Sequence, residues 1–153
     1  MKFNVACMAC LILNTSAAVA ADHASAPQVQ YLASEQTIKQ KLPFSEAVRV
    51  GSMLYLSGNI GVKPDTLELV PGGIEPETKQ AMENIKSVLE ANGSSLDNVV
   101  KCTVMMARMS EWSKMNAVYA PYFTKHFPAR SAMGATGLAL GASVEIECIA
   151  TLK

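Results

Sequence analysis

With 153 residues and a 50% hydrophobic composition, the chain can bury one substantial core but is too short for two comfortable domains. Thirteen basic residues balance thirteen acidic ones and no Lys/Arg cluster occurs, which argues against nucleic acid or an anionic membrane surface as a partner.

The first twenty residues stand apart from the rest. Lys2 carries their only charge, an apolar run extends from Val5 to Leu13, and Ala18-Val19-Ala20 offers the small side chains that a signal peptidase accepts. The run is shorter than the roughly 20 residues needed to span a bilayer, so residues 1–20 are expected to be a signal peptide cleaved after Ala20. Cleavage removes Lys2, Cys7 and Cys10, leaving twelve basic against thirteen acidic residues and a formal charge of −1. The mature protein is then expected to be periplasmic or secreted, without membrane attachment. Residues 21–41 are polar, alanine-rich and aperiodic, and read as an N-terminal arm, with the domain proper over 42–153.

Val48-Arg49-Val50 and Met53-Leu54-Tyr55-Leu56-Ser57 read as two strands around a tight Gly51-Ser52 turn, ending at Gly58. Turn residues around Pro64 and Pro71-Gly72-Gly73 mark a loop. A helix is predicted from Pro76, with Glu75 and Glu77 at its positive end, a buried stripe of Ala81, Met82, Ile85, Val88 and Leu89, and Gly93 as a left-handed cap. Val99 to Ala107 alternates as a strand, with Val100, Cys102, Val104 and Met106 on one face. A second helix is expected to open on Ser110 and pack through Trp112, Met115, Tyr119 and Phe123; Pro121 should kink or end it. Strands from Arg130 to Thr136 and from Ser143 to Leu152 complete an α+β chain in the order β-β-α-β-α-β-β.

The residues hold no P-loop, dinucleotide glycine motif, GxSxG elbow or zinc-ligand spacing. His126 is placed to cap the second helix. Cys102 and Cys148 sit at alternating apolar positions and are expected as buried thiols, with a disulfide the alternative in an oxidising compartment. In the last strand Val144, Ile146, Cys148 and Ala150 share one face, while Glu145 and Glu147 share the other, either as a solvated face or beside a cation. Arg130, among the small residues Ala129, Ser131, Ala132 and Gly134, is a candidate for that cation. From pattern alone, a carboxylate anchor and a structural ion pair are both open.

Seven ordered blocks carry a resemblance over nearly the whole mature domain. They are Pro43-Phe44-Ser45-Glu46-Ala47-Val48, Leu56-Ser57-Gly58-Asn59-Ile60, Gln80-Ala81-Met82-Glu83-Asn84-Ile85, Ser95-Leu96-Asp97-Asn98-Val99-Val100-Lys101, Met115-Asn116-Ala117-Val118-Tyr119, Phe127-Pro128-Ala129-Arg130-Ser131, and Val144-Glu145-Ile146-Glu147-Cys148-Ile149-Ala150. Together they resemble the reactive intermediate deaminase (RidA) family. The resemblance implies a chorismate-mutase-like fold, a barrel-like homotrimer with clefts between subunits, and cofactor-free, metal-free hydrolysis of 2-imino or 2-enamino acids to 2-oxo acids and ammonia. It implies that Arg130 clamps the substrate carboxylate, that Glu145 assists water addition, and that Phe44, Ser57, Gly58, Asn116 and Ala132 line the pocket.

Three positions depart from the family pattern: Phe44 replaces a tyrosine, Asn59 a glutamine, and Ala132 a frequent cysteine. The alternative they leave is a non-catalytic module of the same fold, binding small carboxylates or acting as a chaperone. Ribonuclease activity, attributed to some relatives, fits poorly with the neutral charge and the expected export.

Overall fold

The computed structural model describes residues 26–153 apart from Asp65, and the expected signal segment over 1–20 lies outside them. Strands β1 (Val29–Leu32), β2 (Ala47–Val50), β3 (Met53–Leu56), β4 (Asn59–Ile60), β5 (Val99–Met106), β6 (Ala129–Gly134) and β7 (Val144–Thr151) alternate with helices α1 (Glu35–Lys39), α2 (Ile74–Ala91) and α3 (Trp112–Tyr119). The strands form one sheet in the order β1-β2-β3-β7-β5-β6, with β4 pairing β7 beside this path. All pairings are antiparallel except β5 with β6, whose parallel run needs the crossover that α3 provides. The fold is the α+β architecture expected, with β4 added within the predicted order and β1 and α1 preceding it.

The sheet begins earlier than the sequence suggested. β1 pairs with β2 from Val29 onward, and Ser34 caps α1 by accepting from the Thr37 amide. The Ser34 and Thr37 hydroxyls donate to the Glu46 carboxylate at 2.7 and 2.6 Å, tying α1 to the approach into β2. Part of the expected arm is therefore structured; a four-residue strand is too short for periodicity to reveal.

Apolar burial fixes the layers. Ala81, Met82, Ile85 and Leu89 of α2 and Met115 and Tyr119 of α3 pack with Val104, Ile146, Cys148 and Ala150 in a single core on one face of the sheet. The other face leaves Tyr31, Tyr55 and Met133 exposed. α2 opens at Ile74, two residues before Pro76, and proline is tolerated there because its missing N–H is among those the first turn leaves unpaired. Gly93 takes the expected left-handed conformation at φ 78°.

Three local expectations are corrected. A bulge between Val99 and Lys101 gives Val99 the core position and leaves Val100 44% exposed. α3 starts at Trp112 after a 3-10 turn over Met109–Glu111, so Ser110 is not its cap, and Pro121 lies in the 3-10 turn that ends it. His126 is exposed beyond that turn and bears electrostatically on Asp97.

The expectation of two buried thiols is also overturned. Cys102 and Cys148 face each other across the β5–β7 ladder and are joined by a disulfide. Alternation places both in the core but says nothing of register, and the register makes them direct partners. The bridge spans a sequence separation of 46, and closing a loop of that size contributes up to about 4 kcal/mol. Reduction is expected to lower the urea midpoint substantially and to steepen the slope, because the unfolded chain without the cross-link exposes more surface. Identical denaturation curves with and without a phosphine reductant would show that the strands hold without the bridge.

Candidate active site

Arg130 is placed by β6 and held by α3. Residues 112, 116 and 119 lie four and three apart, so their side chains share one helical face, and that face meets the guanidinium. The Arg130 Cζ lies 4.8 Å from the ring centroid of Trp112 and 4.8 Å from that of Tyr119. Arg130 Nη1 donates to Asn116 Oδ1 at 2.7 Å. Among the described residues no carboxylate pairs with Arg130, so the structural ion pair left open by the sequence is not formed. A guanidinium has five N–H donors, and with Asn116 taking one, donors remain for a ligand.

A cleft of about 370 Å³ opens beside it, lined by Asn116, Tyr119, Ala120, Phe127, Pro128 and Arg130. This lies within the range of small-molecule sites, and its walls are mostly apolar around one cation. The Tyr119 hydroxyl is buried without a hydrogen-bond partner. Burial pushes its pKa up to about 12 although the nearby Arg130 charge pulls the other way, so it stays a neutral phenol and does not compete as an anion for Arg130. Ala132 lies on the same face as Arg130, opposite Val104 in the parallel ladder.

The remaining candidates gather elsewhere. Glu145, half-buried, extends from β7 over the chain between β3 and β4. A Cβ at Gly58 would overlap the Glu145 carboxylate, so glycine is what lets the two approach. Ser57 Oγ donates to the Ser45 carbonyl at 2.6 Å, anchoring the segment that carries the half-exposed Phe44, and Asn59 Nδ2 donates to the Ser57 carbonyl at 2.8 Å. The start of β7 is fixed from the other side: the buried Glu77 carboxylate accepts from Ser143 N and Oγ at 2.6 and 2.8 Å.

The candidates therefore form two groups, Arg130 with Asn116 and Ala132, and Glu145 with Gly58, Ser57 and Phe44. Arg130 pairs with Cys102 and Cys102 with Cys148, so Arg130 shares the helix-covered face, whereas Glu145, three residues from Cys148, projects from the opposite face. They also stand two strands apart and roughly 10 Å out of step along the strands. One chain does not bring them together.

Spacing alone assigns Trp112 and Tyr119 to the core, and their contact with Arg130 emerges only from the packing of α3 on β6. The signal lay in Asn116, a polar residue on the same helical face as two aromatic ones. Among the described residues no group of three or more His, Cys, Asp or Glu side chains is arranged to hold a metal ion.

The family model described as Endoribonuclease L-PSP matches residues 34–152. Over 108 residues the chain is 46% identical to a Bos taurus protein named 2-iminobutanoate/2-iminopropanoate deaminase, covering 71% of this chain and 79% of that protein. The Homo sapiens protein of the same name is 42% identical over the same shares. Among solved structures, yeast YEO7 aligns with a TM-score of 0.76 at 39% identity over 82% of this chain and all of that one. The E. coli protein TdcF, solved with bound serine, aligns at 0.68 and 32% identity over 72% of this chain and 89% of its own.

Proposed function

The chain belongs to the Endoribonuclease L-PSP family, that of the RidA deaminases, and from this membership we propose that it hydrolyses small 2-imino and 2-enamino acids to 2-oxo acids and ammonia. The observation that carries the reading is the Arg130 guanidinium, free of any carboxylate among the described residues and bordering an apolar cleft. A planar guanidinium offers a carboxylate two parallel charge-assisted hydrogen bonds, fixing the orientation of the adjacent C2.

The steps follow from the substrate's own electrophilicity. An enamine first tautomerises to the imine; water then adds to C2 while the C=N π electrons move to nitrogen. Glu145 accepts a proton from that water and relays it to the nitrogen. The carbinolamine collapses as Glu145 carries its hydroxyl proton to the amine nitrogen, C=O forms, and the C–N bond breaks to release ammonia. Proton relay of this kind contributes roughly 10²- to 10⁴-fold.

Arg130 and Glu145 meet across a subunit boundary. In a ring with head-to-tail interfaces, the Arg130 cleft of one protomer faces the Glu145 group of the next, and the homotrimer implied by the resemblance is such a ring. The exposed Tyr31, Tyr55 and Met133 on the uncovered sheet face supply apolar surface for that assembly. Export with cleavage after Ala20 is part of the same reading, supported by the Cys102–Cys148 bridge, since disulfides persist in oxidising compartments.

The test is an amino-acid oxidase generating imino acid in place, with 2-oxo acid release followed against the spontaneous rate; no acceleration overturns the reading. Binding of 2-oxo acids without turnover of any imino acid would instead favour the non-catalytic carboxylate module, which the missing hydroxyl at Phe44 leaves open. Within the deaminase reading, Gly58→Ala is expected to lower kcat/KM by about 10²-fold or more through displacing the Glu145 carboxylate. Carboxylate affinity should be little changed, and equal loss of affinity would place Gly58 with the Arg130 group.

A further inference from the structure

Arg130 is enclosed in a particular way. One aromatic ring lies at 4.8 Å on Trp112 and another at 4.8 Å on Tyr119, and Asn116, between them on the same helical face, takes one guanidinium N–H at 2.7 Å. Ring contacts attract the cation through the aromatic quadrupole, and more strongly where water is excluded. Tyr119 is 3% exposed and Trp112 is partly buried against the core, so neither ring is free to swing away. With Cζ over both rings and one N–H on Asn116, the remaining N–H donors are the surface left for an anion. A carboxylate meets two such donors with both oxygens at once.

We propose that Trp112 and Tyr119 are positioning residues that hold the Arg130 guanidinium with its remaining N–H donors toward the cleft and thereby set carboxylate affinity. The proposal rests on the deaminase reading only for its kinetic arm; its binding arm stands alone. The rings act through Arg130, so their loss acts on ground-state capture of the carboxylate, weakening substrate and transition state alike.

The chain supplies its own probe, since Trp112 is its single tryptophan. Full-length mature protein with the disulfide intact is titrated with 2-oxobutanoate, followed by tryptophan emission and, in parallel, by calorimetry. Binding is expected to change the emission of the wild type. Trp112→Phe, which keeps an aromatic face, should bind nearly as wild type. Trp112→Leu should raise the calorimetric Kd, and the KM for imino acid, by about tenfold with kcat little changed. Tyr119→Phe should bind as wild type, because the lost hydroxyl has no partner.

Wild-type affinity in Trp112→Leu overturns the proposal, as does calorimetric binding that leaves the emission unmoved. Should Trp112→Leu not fold, the wild-type emission decides. Binding with the expected variant effects but no imino-acid turnover sustains the positioning role and removes the deaminase reading; absence of any carboxylate binding removes both.

Discussion

Arg130→Ala is expected to reduce kcat/KM for imino-acid hydrolysis by roughly 10²- to 10⁴-fold, because two charge-assisted hydrogen bonds to the substrate carboxylate, each contributing about 1.5–3 kcal/mol, are lost together. Arg130→Lys should fall between wild type and alanine, since an ammonium keeps the charge but cannot present two parallel donors while also bonding Asn116. The same substitutions should abolish or weaken 2-oxobutanoate binding by calorimetry, while the alanine variant's thermal midpoint falls modestly, because it forfeits the Asn116 hydrogen bond and the two ring contacts but breaks no ion pair among the described residues. The ordering of the three side chains is the informative result. Alanine equal to wild type in both turnover and binding would remove Arg130 from the site altogether. A lysine variant as active as wild type would reduce its role to that of a point charge, leaving no use for the two rings that enclose it.

The contrast between what the residues disclosed and what they hid follows from the range of each physical signal. α2 was legible because its burial repeats every three to four residues over eighteen positions, and β7 because its period of two runs unbroken from Val144 to Ala150. Both are properties of one segment. The Cys102–Cys148 bridge depends on the register between two strands more than forty residues apart, and alternation is the same whether the two sulfurs meet or not. The bulge that turns Val100 outward is likewise set by its partner strand. Arg130 and Glu145 were found as separate candidates, Arg130 from its small neighbours and Glu145 from a carboxylate on a core-like strand. Their separation onto opposite faces needed the β6–β5–β7 pairings. Helical spacing places the Trp112 and Tyr119 rings in the core because it cannot tell a cation against a ring from a methyl group, and both rings serve the core and Arg130 at once.

That separation leads to the second large expected effect. If catalysis requires Arg130 from one protomer and Glu145 from its neighbour, two inactive variants should restore each other. Arg130→Ala chains retain Glu145, and Glu145→Gln chains retain Arg130, so in randomly mixed rings about one quarter of interfaces receive both intact groups. Co-expression at equal levels, followed by purification through one tag common to both chains, gives the randomly mixed assembly without disturbing the disulfide. Activity near that fraction of wild type is expected, from parents that each show almost none. A control makes the result quantitative. Wild-type chains mixed equally with the Arg130→Ala/Glu145→Gln double variant should also keep about one quarter of their sites if each site spans two chains, but about one half if each chain holds a complete site. A mixture of the single variants that stays inactive, together with a control at one half, would place both residues in a site within one chain, against the opposite-face geometry of β6 and β7. A mixture restored to one quarter while the control also falls to one quarter is explained only by a shared site, because folding rescue of either variant would act equally within every ring.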